Sequence, residues 1–245
     1  MSATQITSAP PFDAKAEAKR LLRIARIGAL ATLDRASGAP LTTLVAIASA
    51  YDGAPLFLLS TLAQHTKNLA ADMRASLLLT SPAGRGDPLN RPRLTIGGGV
   101  APHPDPAARA RFLARNPKAK LYVGFGDFSL FRMEISAVHF NGGFARAAAL
   151  ATEDILTDLT GADALIEAEP SLIEEINARG AAFLALPSGS GRSERPLGWR
   201  AIGLDPDGLD LAAGARAERL SFKTRSPSPS AWRKALASYA RDDTP

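Results

Sequence analysis

The chain contains no cysteine. That excludes a disulfide framework, a thiolate zinc or iron–sulfur site and a thiol nucleophile. Histidine is scarce: His65, His103 and His139 are the three, and no two lie close in sequence. A histidine-rich metal site within one chain is not expected. Aromatic residues make up only 6% and do not interleave with the scattered Lys and Arg residues, so nucleic-acid binding is not expected either. No apolar run approaches the roughly 18 residues of a membrane span. The opening stretch, MSATQITSAPPFDAK, lacks the basic-then-apolar order of a secretory leader. The expectation is a cytoplasmic protein with no membrane or nucleic-acid partner.

What is present is globular composition, 46% apolar and 22% charged over 245 residues. Such a chain can bury a real core without staples. The charge is uneven. Residues 1–150 carry 18 Lys and Arg against 9 Asp and Glu, a net of +9, whereas residues 151–245 carry 11 against 15, a net of −4. We place a domain boundary at that shift: an arm over 1–12, a first domain over 13–150 and a small α+β domain over 151–245. A basic first domain suits an anionic ligand.

Asp13 caps an expected helix over 14–26, with Leu21, Leu22 and Ile24 inward, Lys15, Lys19, Arg20, Arg23 and Arg26 facing water, and Gly28 as its stop. Short strands follow at 27–33, 41–48, 56–60, 76–81 and 93–100, separated by turn residues, which indicates a small β-barrel or sandwich. Asp105-Pro106 opens a helix to about Arg115, and 128–140 supplies the closing strands. GGG (97–99) marks a bulge or a close chain crossing. Beyond the boundary, 161–184 has helical spacing, with Phe183 in its apolar set. Pro187 and 188–196 form a loop, 199–205 and 209–214 a hairpin, 218–223 a third strand and 231–242 a last helix.

The segment that carries chemistry is LFLLSTLAQHTKNLAADMRASLLL (56–79), a strand, a hydroxyl-rich turn, a helix and a strand. Ser60 and Thr61 end the strand, and Thr66 and Lys67 fall in the first turn of a helix starting near Gln64. Unpaired N–H groups at a helix start, hydroxyl donors and one cation make a phosphate cradle. The same residues also fit an ordinary arrangement, with a Ser or Thr helix cap and a solvated lysine.

These residues, with IGALATL (27–33), the Arg74-Ala75-Ser76 strand start, NPKAKLYVGFGDF (116–128) and HFNGGFARA (139–147), resemble the FMN-binding split barrels of the pyridoxamine-phosphate-oxidase-like superfamily. Within it they are most similar to the haem-utilisation branch, and GLDPDGLDL and RLSF resemble the small domain that follows that barrel. The resemblance implies an α+β fold: a six-stranded Greek-key split barrel with flanking helices, then a small α+β domain. It also implies a homodimer with the cofactor at the subunit interface. Thr43 and Val45 would line the isoalloxazine, Ser60 and Thr61 would contact the cofactor, Thr66 and Lys67 would hold its phosphate, and Arg93 would lie on a strand reaching it.

The departures are equally specific. The true oxidases resembled here have Arg at the place of Thr43 and an Arg-Lys pair at Thr66-Lys67, and their pyridoxal-phosphate motif has no match near 115–125. Pyridoxamine-phosphate oxidation is therefore not expected. Haem-degrading relatives place a histidine near the C-terminus, where this chain reads SYARDDTP. A haem ligand must then come from His65, His139 or His103, and His65, beside the cradle, is the best placed. The expected function is that of an FMN-binding flavoprotein oxidoreductase. The alternatives are a haem-binding or haem-degrading protein and a non-catalytic binding module.

Overall fold

A computed structural model describes residues 12–81, 87–144, 146–180 and 198–242. Six antiparallel strands close into a barrel: β1 (Ile27–Leu33), β2 (Pro40–Ser49), β3 (Pro55–Ser60), β4 (Arg74–Thr80), β5 (Arg93–Pro102) and β6 (Phe128–Asn141). They run in the order β3-β2-β1-β4-β5-β6, and β6 pairs back onto β3. Three hairpin-linked strands followed by a fourth returning beside the first is the Greek-key order. A short strand β7 (Ala147–Ala149) extends β6 outside the barrel. Inward residues alternate along the strands, among them Leu30, Val45, Ile47, Leu77, Leu79, Leu94, Ile96 and Met133, and they fill the interior.

Helix α1 (Ala14–Ile24) packs on this barrel, with Asp13 capping it through Ala16 N–H as expected. Gly28 is not its stop. The helix ends where Ala25 turns extended, and Gly28 lies within β1, where a Cβ would stand 2.6 Å from Leu77 Cδ1. Helix α2 (Gln64–Ala71) crosses from β3 to β4 at the barrel end formed by β1 and β2, and α3 (Pro106–Arg115) links β5 to β6. The glycine run in β5 is both bulge and close crossing. The β5–β6 register shifts between Gly97 and Gly98, and a Cβ on Gly98 would fall 1.9 Å from the Glu134 carbonyl oxygen. Gly98→Ala forces two backbones apart and is expected to cost more than about 3 kcal/mol, as a core overpacking at the upper end of its range. Urea unfolding measures it; a loss under about 1 kcal/mol would show that the bulge simply shifts.

After β7 the chain passes through α4 (Thr152–Ile155) and α5 (Asp163–Arg179) to a three-stranded sheet, β8 (Arg200–Asp205), β9 (Gly208–Ala213) and β10 (Arg216–Ser221), and ends in α6 (Pro229–Asp242). Leu165, Leu172, Ile176, Leu204, Leu211, Trp232 and Leu236 form its core. Residues 1–11 of the expected arm, Phe183, Pro187 and the 188–196 loop lie outside the described residues. Phe12, assigned to the arm, stacks on Phe140 at 6.0 Å. Among the described residues, no helix is long and apolar enough to cross a membrane.

Apart from the exposed Lys15, the basic face of α1 does not look into water. Lys19 pairs with Asp207 at 2.5 Å, Arg20 with Glu218 at 3.1 Å and the buried Arg23 with Asp205 at 3.2 Å, and Arg26 donates to the Gly214 carbonyl. From α3, the buried Arg111 pairs with Glu169 of α5. Much of the positive excess of residues 1–150 is thus matched by the acidic residues that follow. The charge asymmetry joins the two parts of the chain, and it does not by itself indicate an anionic ligand. The seam is close-packed: the cavity between Arg23, Arg111, Arg115 and Asp210 is about 10 Å³, room for one water.

Candidate functional site

The strand β3 ends at Ser60, and a tight turn, with Ala63 N–H donating to the Ser60 carbonyl at 3.1 Å, leads into α2. The N-cap is Ala63, which has no side-chain oxygen to offer. Neither Ser60 nor Thr61 caps the helix. The first intrahelical bond runs from Lys67 N–H to the Ala63 carbonyl at 3.2 Å, and among the described residues no acceptor meets the N–H groups of Gln64, His65 and Thr66. Those amides carry the partial positive charge of the helix start. Thr66 is 6% exposed, and its Oγ1 has no hydrogen-bond partner. Lys67 is exposed and makes no ion pair among the described residues.

The helix is held in place by Asn68, which is fully buried. Its amide donates to Thr32 Oγ1 at 3.1 Å and accepts from Arg35 N–H at 3.2 Å and from Gln64 Nε2 at 3.0 Å. This anchoring brings the half-buried His65 against β2, where its Nδ1 lies 3.1 Å from Thr43 Oγ1. Burial holds the imidazole below its ordinary pKa, so it is neutral at neutral pH.

Of the residues singled out in the sequence, Thr43, His65, Thr66 and Lys67 meet around this helix start, with Ser60 and Thr61 one turn earlier. Val45 turns into the barrel core and is 5% exposed. Arg93 faces outward at the start of β5 and donates to the Leu89 carbonyl at 2.8 Å. Asp127 was not singled out. It accepts from Ser60 Oγ at 2.5 Å, and its carbonyl accepts from Thr61 N–H at 2.8 Å. The GFGDF stretch that places it was visible in the sequence, but its contact with Ser60 depends on the pairing of β3 with β6, which sequence spacing does not reveal.

A groove of about 230 Å³ lies on the outer wall instead, lined by Ala31, Leu33, Pro40, Arg74 and Ser76 among others. It continues an apolar face on which Leu44, Ala29 and Leu78 are successive cross-strand neighbours. Leu44 is 71% exposed, Leu78 37% and nearby Ile27 59%.

Six antiparallel strands closed in Greek-key order with flanking helices make a split barrel. Residues 14–142, more than half of the chain, match the pyridoxamine 5'-phosphate oxidase family, and the chain belongs to that family. It is similar to the non-canonical heme oxygenase HOZ, a chloroplastic protein of Arabidopsis thaliana, with 36% identity over 137 residues. The match spans 54% of this chain and 41% of HOZ, less than half of that relative. Among solved structures it is similar to a protein of unknown function from Agrobacterium tumefaciens, with 38% identity, a TM-score of 0.81 and coverage of 96% of this chain and 100% of that one. A heme binding protein from Mycobacterium smegmatis is 26% identical with a TM-score of 0.56, covering 96% of this chain and 98% of its own.

Proposed function

We propose that this chain binds haem at the start of α2, as a homodimer whose second copy covers the outer wall of β2, β1 and β4. The observation that carries this reading is the His65–Thr43 contact. With Nδ1–H donating to the threonine hydroxyl, the ring is fixed and Nε2 keeps its lone pair, the form an iron ligand needs. Burial supports it by keeping the ring neutral. Lys67 and the open amides of α2 would seat a propionate carboxylate. Bound haem would supply the oxygen and electron chemistry of an oxidoreductase, and these residues would hold and orient it. The likeness to HOZ and to the mycobacterial heme binding protein supports the same choice.

FMN is the second reading, favoured by the unpartnered Thr66 hydroxyl beside those amides. A phosphate has oxygens enough for the hydroxyl, the N–H groups and Lys67 together. Absorbance titrations with haemin and with FMN separate the two. Haem binding predicts a Soret band that weakens at least about tenfold in affinity in His65→Ala, about 1.4 kcal/mol, and stays near wild type in Thr66→Val. FMN binding predicts the reverse sensitivity. Uptake of neither would remove both readings.

A further inference from the structure

We infer that Asn68 is a positioning residue for the site at the start of α2, acting through its bond to Thr32 and not by touching a ligand. Thr32 and Thr43 lie on the core faces of neighbouring strands, two residues apart in the β1–β2 register, where Leu30 is opposite Thr43 and Thr32 opposite Leu41. Helix α2 rests on both hydroxyls. Asn68 Nδ2 donates to Thr32 Oγ1 at 3.1 Å, and one turn earlier His65 Nδ1 lies 3.1 Å from Thr43 Oγ1. Two points one turn apart fix the rotation of a helix as well as its place.

The two contacts are not equivalent. His65 is half-buried, whereas Asn68 is fully buried and its amide has one possible orientation. Arg35 N–H can only donate, so it holds Oδ1 at 3.2 Å and leaves Nδ2 facing Thr32. Gln64 Nε2 donates to the same Oδ1 at 3.0 Å and reaches Asp34 Oδ2 at 3.3 Å. Asp34 in turn folds the exposed β1–β2 turn, accepting from Ser37 Oγ at 2.8 Å and from Ser37 N–H at 3.0 Å. One buried amide thus ties the first residue of α2, the strand β1 and the turn that follows it together. Losing either Asn68 or the Thr32 hydroxyl leaves a buried polar group without a partner. The helix start is then free to leave its place, and the open amides, Lys67 and His65 face one ligand in only a fraction of the molecules. Affinity falls by that fraction, whichever ligand is bound.

This inference rests on the helix start being the ligand site, and the test separates the two. Haemin and FMN are titrated into wild type, Asn68→Ala, Thr32→Val and Thr32→Ser, each well below its melting temperature. Asn68→Ala and Thr32→Val are expected to weaken the ligand that wild type takes up at least about tenfold, about 1.4 kcal/mol, whereas Thr32→Ser, which keeps the hydroxyl, stays within about twofold. A double-mutant cycle identifies what Asn68 acts through. In a His65→Ala background for haemin, or Thr66→Val for FMN, the loss caused by Asn68→Ala should shrink to less than about threefold. A lower melting temperature with unchanged affinity, or a loss undiminished in those backgrounds, overturns the positioning role and leaves the ligand site standing. If Asn68→Ala does not fold, Gln64→Ala, at an exposed position, is expected to weaken uptake about threefold. Unchanged affinity in Gln64→Ala and Thr32→Val together then overturns the role. Uptake of neither ligand by wild type overturns both.

Discussion

Asp205→Ala is expected to destabilise the protein by about 3–5 kcal/mol, the cost of leaving a buried charge without its partner. Asp205 is fully buried at the end of β8. It meets Arg219 at 2.7 Å and Arg23 at 3.2 Å and accepts Asp207 N–H at 2.8 Å. Arg23 also donates to the carbonyls of Ala50 and Tyr51 and to Thr157. Removing one carboxylate thus unbalances two buried guanidinium groups at once, on opposite sides of the seam. Arg219 keeps Asp210, at 2.9 Å; Arg23 keeps only neutral acceptors. Denaturant unfolding with both halves monitored measures the loss, and a change under about 1 kcal/mol would show that Arg23 does not depend on this ion pair.

The same site predicts an acid limb. Burial alone would raise the Asp205 carboxyl, but Arg219 and Arg23 more than offset it and hold it well below the usual carboxylate range. A depressed folded-state pKa means that the stabilisation is present above the unfolded value of about 4 and is lost as pH falls below it. Wild-type stability should therefore drop on acidification below about pH 4, and Asp205→Asn should lack that part of the drop.

These residues show where sequence reading succeeds and where it stops. The barrel strands, the helix starting at Gln64 and the bulge at Gly97–Gly98 all follow from local signals: alternation, turn residues and a glycine run. Burial of Arg23 has no local signal. On a helical wheel it sits where a solvated cation would, and only the later arrival of β8 and β10 against α1 gives it Asp205. The cradle was half legible. Thr66 and Lys67 were placed by their spacing from the end of β3, yet the missing cap, the Thr43–His65 contact and the Ser60–Asp127 pair depend on strand register and on Asn68 fixing the helix. Val45 differs from Thr43 by depth: both lie on the core face of β2 with Ile47, but Thr43 is half-buried and reaches His65 whereas Val45 is 5% exposed within the barrel core.

Leu44→Asp combined with Leu78→Asp is expected to convert a dimer into monomers and to weaken ligand uptake. The two leucines flank Ala29 on neighbouring strands, at the centre of an apolar patch that continues into the 230 Å³ groove, with Arg74 at the groove. A two-fold dimer through this wall would bury both leucines of each copy. Since Leu44 is 71% and Leu78 37% exposed, the four side chains amount to about two fully exposed leucines, roughly 4 kcal/mol, about 10³ in the dissociation constant. Introducing carboxylates adds desolvation and like-charge repulsion to that loss. Neither side chain enters the barrel core, so the melting temperature of the variant should stay near that expected for a monomer of the same fold. Sedimentation velocity at micromolar concentration reads the association state. Arg93 shares this outward face, on the strand next to Leu78. In the proposed dimer a second copy would bring its Arg93 onto the shared interface, so the dissociated variant should lose affinity for haemin or FMN although His65, Thr66 and Lys67 are unchanged. A wild-type protein that sediments as a monomer, or a monomeric variant with undiminished uptake, would mean that each chain completes its own site.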